Sequence, residues 1–227
     1  MTADEVDAAL AAAEADLAAG KSPDGRAFWA AVAAVKRDDE LVDRFADRVG
    51  AVDQALFVRW APLRVPMAVG TSLMVVATVA GLVLVGATYF LDDPWNGLAF
   101  VAGTLALMVT VHGLAHLAVG RRAGIRFTSW FVTLSRPQPG VKTDYSTYLR
   151  APARSRAWMH ASGAIATKVV PFLLLPVGPV AGAPWWSTVA VLALGVVALV
   201  TDVVWSVTAS DWKKYRREMA VARSGHR

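Results

Sequence analysis

The sequence has no cysteine. Disulfides and thiolate metal sites are therefore excluded, and any metal ion would have to be held by histidine and carboxylate. Histidine is scarce as well, with four in 227 residues. The acidic N-terminus lacks an apolar core segment, so no cleavable signal peptide is expected there. Charge is missing unevenly. Residues 1–60 carry twelve Asp and Glu against seven Lys and Arg, while the rest of the chain carries six against sixteen. The basic residues flank apolar blocks instead of forming a patch, which argues against nucleic-acid binding. With 56% hydrophobic residues gathered into blocks, the composition is that of an integral membrane protein in contact with the lipid bilayer.

Four blocks are each near the ~20 residues that cross ~30 Å of hydrocarbon. They run over about 66–90, 97–120, 159–181 and 185–208, within a membrane core at 61–210. Trp60, Trp95, Trp158, Trp185, Trp186 and Trp212 sit where an interfacial belt would place them. Pro171, Pro176 and Pro179 predict a kinked or broken third span. The segment 121–158 carries Arg121, Arg122, Arg126, Arg136, Lys142, Arg150, Arg154 and Arg156, and the tail at 211–227 carries Lys213, Lys214, Arg216 and Arg217. The two short connections on the other side hold only Asp92 and Asp93 as charges. The positive-inside rule then places both termini and the 121–158 loop in the cytoplasm, and the Ala/Val/Arg-rich composition suggests a prokaryotic plasma membrane. The expected fold class is an all-α membrane protein. It has four transmembrane helices, a short β-containing cytoplasmic loop, and an N-terminal soluble helical unit at 1–60.

In that N-terminal unit, Thr2 to Glu5 fits a capping box and Gly20 a helix stop. Ser22-Pro23 reads as an N-cap followed by proline at the first helical position. Leu41, Phe45, Val49, Val52 and Leu56 recur at helical spacing. In the loop, 125–134 is rich in β-branched and aromatic residues and predicts one or two strands, and Pro137-Gln138-Pro139-Gly140 predicts a turn.

Ionisable residues inside the membrane are costly and point to function. Here they are His112, His116, Lys168 and Asp202, with His160 at the membrane edge. His112 and His116 are four residues apart, so they share a helix face about 6 Å apart, as two ligands to one zinc ion would. Their midpoint lies roughly 9 Å inside the cytoplasmic end of the second span, and Asp202 lies roughly 10 Å inside the same end of the fourth. His112, His116 and Asp202 thus reach one depth, the donor set of a zinc site with an open fourth position. The alternative is that each is satisfied separately, with Asp202 paired to Lys168. A haem held by two histidines would need His160, because two histidines on one helix face cannot bind opposite sides of a haem.

His112-Gly113-Leu114-Ala115-His116, followed by Gly120-Arg121-Arg122-Ala123-Gly124-Ile125, resembles the His-Glu-x-x-His motif and following run of site-2 protease-type intramembrane zinc metalloproteases. Ser162-Gly163-Ala164-Ile165-Ala166-Thr167 is similar to that family's Ala-Gly-Pro-x-x-Asn motif, with Ala164 for Pro and Thr167 for Asn. Asp202 would match its aspartate ligand, set here in Thr-Asp-Val. The resemblance spans about 66–210. It implies zinc at His112, His116 and Asp202, and a transmembrane protein as substrate or partner. It also implies an edge strand near 127–134, with Phe127, Ser129 and Phe131 as candidate contacts, that holds the substrate by strand addition.

The departure is Gly113, which stands where the family has its general base. Losing a positioned base forfeits on the order of 10²–10⁴ in rate. Asp211 could replace it only if the tail folds back; the other candidates for the base are Asp144 and water alone. Three readings follow: a zinc-binding pseudoenzyme that holds a transmembrane partner, an active divergent protease, or a scaffold without metal.

Overall fold

The computed structural model describes residues 1–133, 136–205 and 210–225. Among them are ten helices and three strands: α1 (Ala3–Ala18), α2 (Gly25–Val35), α3 (Asp39–Trp60), β1 (Leu63–Pro66), α4 (Met67–Ala87), α5 (Trp95–Arg122), β2 (Phe127–Thr133), β3 (Arg136–Thr143), α6 (Tyr145–Arg150), α7 (Ala153–Leu174), α8 (Val177–Val180), α9 (Trp185–Trp205) and α10 (Asp211–Arg223). They form two compact units. One contains 1–65, 119–158 and 216–227, and the other contains 66–118 and 159–215. The N-terminal helices, the middle loop and most of the tail, expected as three separate segments, thus fall in a single unit.

In that first unit α1, α2, α3 and α6 bury a common core that includes Val6, Leu10, Phe28, Val32, Val35, Phe45, Val49 and Leu149. The ends of the helices are fixed by local chemistry. Thr2 and Glu5 form the reciprocal capping box. The second helix starts two residues later than Ser22-Pro23 suggested. Asp24 is its N-cap and accepts from the Arg26 N–H at 2.8 Å. A carboxylate at that position satisfies an orphan N–H and also faces the positive end of the helix dipole. The fifth helix ends at Arg122, and Gly124 just beyond it has a φ of +78° that permits the Ile125 N–H to bond back to the Gly120 carbonyl at 2.9 Å.

The sheet has the order β1-β2-β3. β2 and β3 are antiparallel, with Trp130 opposite Val141 and Phe131 opposite Gly140. Two expectations change here. Pro137 to Gly140 lies inside β3 and is not a turn. β3 is an edge strand, where the N–H that proline lacks is not needed by a neighbour, and proline's φ suits extended backbone. A Cβ on Gly140 would sit 2.7 Å from the Phe131 ring, so glycine lets that ring lie over the β3 backbone. The second change concerns Phe127, Ser129 and Phe131. They belong to β2, the central strand, which lies between β1 and β3. The free edges belong to β1 and β3. Leu134 and Ser135 lie outside the described residues.

A buried ionic cluster joins the last helix to this unit. Glu218 of α10 bonds Lys36 Nζ at 2.6 Å and Arg156 Nε at 2.8 Å. Arg156 and Glu218 have no solvent exposure. Arg156 also donates to the carbonyls of Leu149 (2.9 Å) and Ala151 (2.7 Å). The Lys36 ammonium lies 4.9 Å from the centre of the Tyr148 ring. Burial opposes charge on both partners. It pulls Lys36 down to about 8. At Glu218 the neighbouring Lys36 and Arg156 outweigh burial and hold the carboxyl down at about 2.

The second unit contains the apolar helices. Among the described residues four are long and apolar enough to cross a membrane: Met67–Ala87, Trp95–Arg122, Ala153–Val180 and Trp185–Val204. Val76, Val83, Val203 and Val204 leave 63–73% of their surface open, which suits lipid contact on a multi-pass membrane protein. α4 and α5 approach closely through glycine, since a Cβ on Gly103 would meet the Gly81 carbonyl oxygen at 2.8 Å. The third span breaks as its prolines predict: Pro171 is inside α7, which stops at Leu174, and Pro176 precedes the short α8. Residues 206–209, where the fourth span was expected to end, lie outside the described residues.

Candidate metal centre

Unbroken α5 helix carries His112 and His116 on one face, and their rings meet edge to face with centroids 4.7 Å apart. Their Nε2 atoms are 3.2 Å from each other. A carboxylate completes the group, and it comes from the tail. Asp211 Oδ2, in the first turn of α10, is 3.2 Å from His116 Nε2 and 3.3 Å from His112 Nε2. Among the described residues, this is the group of three whose ligand atoms converge closely enough for one metal ion.

The outer nitrogens explain the orientation of the rings. His116 Nδ1 is 2.6 Å from the Met159 carbonyl, which can only accept, so Nδ1 carries a proton. His112 Nδ1 is 3.1 Å from Thr167 Oγ1, and that hydroxyl donates its own hydrogen to the Gly163 carbonyl at 3.0 Å. It therefore accepts from His112 Nδ1. With each Nδ1 so engaged, both Nε2 atoms face one another and the Asp211 carboxylate. Three unprotonated acceptors at 3.2–3.3 Å would repel one another, and either a metal ion among them or a proton on an Nε2 that bonds Asp211 relieves this.

A metal ion fits that requirement. Ligands 2.0–2.1 Å from a tetrahedral zinc are separated by about 3.3–3.4 Å, close to the spacing of these three atoms. Nδ1 hydrogen bonds of this kind are the usual support for zinc-bound histidine. Burial opposes the Asp211 charge, but hydrogen bonds from both histidines and the nearby Lys214 ammonium, 3.0 Å from Oδ1, outweigh it. The carboxyl is held well below the usual carboxylate range.

Gly163 makes room for the site. A Cβ there would lie 2.6 Å from His116 Cε1 and 2.8 Å from Cδ2, so only glycine lets the imidazole rest against α7. Replacing Gly163 with alanine is expected to turn the His116 ring out of position and weaken any metal binding at this group by about 10–100-fold, as loss of a ring-orienting contact does. Titration of the purified variant against a competing chelator checks this.

The remaining site candidates fall into two groups. Thr167 touches His112. Gly113 is buried on α5 between the two histidines. Asp202, expected as the third ligand, is elsewhere. It pairs with Lys168 Nζ at 2.5 Å and accepts the indole N–H of Trp212. Counting residues gave the depth of Asp202 but not the direction in which its helix points it. Asp211, considered as a substitute base, is the carboxylate that stands beside the two histidines. His160 lies on α7, outside the group of three. The role of Asp211 had one signal in the sequence: an acidic residue opening a tail helix directly after the last apolar block. Gly163 was visible only as part of a degenerate motif.

Comparison of the chain with protein-family models, with curated proteins and with solved structures gives no match.

Proposed function

We propose that this chain is a zinc-binding integral membrane protein of the plasma membrane, built like an intramembrane zinc metalloprotease but with weak or no peptidase activity. It binds a transmembrane segment of a partner protein without cutting it. Both termini face the cytoplasm, in keeping with the Lys and Arg distribution. The observation that carries the reading is the convergence of His112 Nε2, His116 Nε2 and Asp211 Oδ2, three potential ligand atoms at the spacing of a zinc ligand triangle.

A bound zinc polarises a water at its open position. Hydrolysis also needs a group to take that water's proton and deliver it to the leaving amine. Gly113 supplies none, and Asp211, the nearest carboxylate, is engaged as a ligand with its other oxygen on Lys214. Co-reconstitution with a model transmembrane substrate tests this. The wild type is expected to cleave no faster than His116→Ala, and Gly113→Glu to cleave faster than either if the buried position accepts the side chain. Wild-type cleavage well above His116→Ala would show that the protein is an active protease.

A further inference from the structure

Lys168 and Asp202 form an ion pair inside the apolar unit that the metal site does not use. Lys168 Nζ lies 2.5 Å from Asp202 Oδ2 and donates to the Ala164 carbonyl at 2.8 Å. The pair is largely shielded, with 15% and 18% of the two side chains exposed. The same Asp202 oxygen accepts the indole N–H of Trp212. Trp212 is the neighbour of Asp211 in the first turn of α10. Successive helix residues point about 100° apart. Asp211 therefore reaches toward α5 while Trp212 reaches toward α9. Two anchors on adjacent residues fix both the position and the rotation of that turn.

Resting on the metal-site reading above, we propose that Lys168, Asp202 and Trp212 are positioning residues for the metal. Asp202, held by Lys168, captures the Trp212 indole and thereby presents Asp211 to His112 and His116. The arrangement gives a function to an ion pair that lipid burial alone would disfavour. It also explains how a ligand borne on the tail, and not on a membrane-spanning helix, is held at the site.

The test is zinc affinity of the full chain in detergent, measured by chelator competition. Trp212→Phe keeps the ring and removes the N–H. Lys168→Met/Asp202→Leu removes the acceptor without leaving a buried charge. Lys168→Met/Asp202→Asn also removes the charges but restores an acceptor oxygen for the indole. The first two are expected to bind zinc about 10–100-fold more weakly than wild type, the range for loss of a group that supports a ligand. The third is expected to recover most of that loss, which a purely structural ion pair would not allow. Trp212→Phe added to Lys168→Met/Asp202→Leu should cost nothing more, because both remove one bond. If Trp212→Phe and Lys168→Met/Asp202→Leu bind zinc like wild type while His116→Ala does not, the positioning role is wrong and the metal site stands. If His116→Ala binds zinc as well as wild type, the metal site itself is wrong. Should Trp212→Phe fail to fold, the two double variants alone give the answer.

Discussion

Glu218→Ala is expected to destabilise the first unit by about 3–5 kcal/mol, the range for removing one partner from a buried ion pair. The change leaves Lys36 and Arg156 buried without their counter-charge, and neither can reach water without moving the helices around it. Part of the Arg156 charge stays satisfied by the Leu149 and Ala151 carbonyls, so Lys36 carries most of the penalty. Thermal unfolding in detergent reads the effect, and Lys36→Met/Glu218→Gln should recover much of the loss. The same cluster sets an acid limit. Glu218 is held at about 2 against an ordinary 4.5, so its contribution is complete above pH 4.5 and is lost as the pH falls toward 2. At about 1.4 kcal/mol per pH unit this amounts to about 3 kcal/mol. Lys36 acts in the other direction. Its value is lowered from 10.5 to about 8, so stability from this group rises across that interval, where the unfolded chain holds more protons. An acid midpoint that does not move in Lys36→Met/Glu218→Gln would show that other groups set the limit.

Asp211→Ala is expected to weaken zinc binding more than any change at Asp202, although Asp202 is the more deeply placed in sequence terms. Alanine at 211 removes a donor outright and leaves two imidazoles to hold the ion alone. Changes at Asp202 leave all three donors in the chain and only loosen the third, which limits their effect to about 10–100-fold. Asp211→Asn should fall between wild type and alanine, since the amide oxygen can coordinate but carries no charge. Chelator competition orders the series. If Asp202→Ala abolishes binding while Asp211→Ala leaves it intact, the donor assignment is reversed.

Four apolar spans were legible because length and composition decide them, and the broken third span followed from its prolines. His112 and His116 were legible because helical spacing alone puts them on one face. Asp211 was harder to read. Its contact with the histidines depends on the tail helix returning to the apolar unit, which no local pattern encodes. Asp202 misled for the converse reason: depth along a helix follows from counting, whereas rotation about its axis depends on what packs against it. The same limit applied to the sheet. β-branched and aromatic residues marked β2, but its central place depended on Leu63 to Pro66, a segment too short to show a strand period. The prolines of β3 signalled a turn because proline is common in both turns and edge strands, and only pairing with β2 separates the two.

The most direct test is the zinc content of protein purified in detergent without chelators, measured by elemental analysis beside His116→Ala. The account predicts about one zinc per wild-type chain and almost none in the variant, as expected for a site that loses one of its three protein ligands. Equal zinc in the two proteins, or none in either after exposure to zinc, would contradict it.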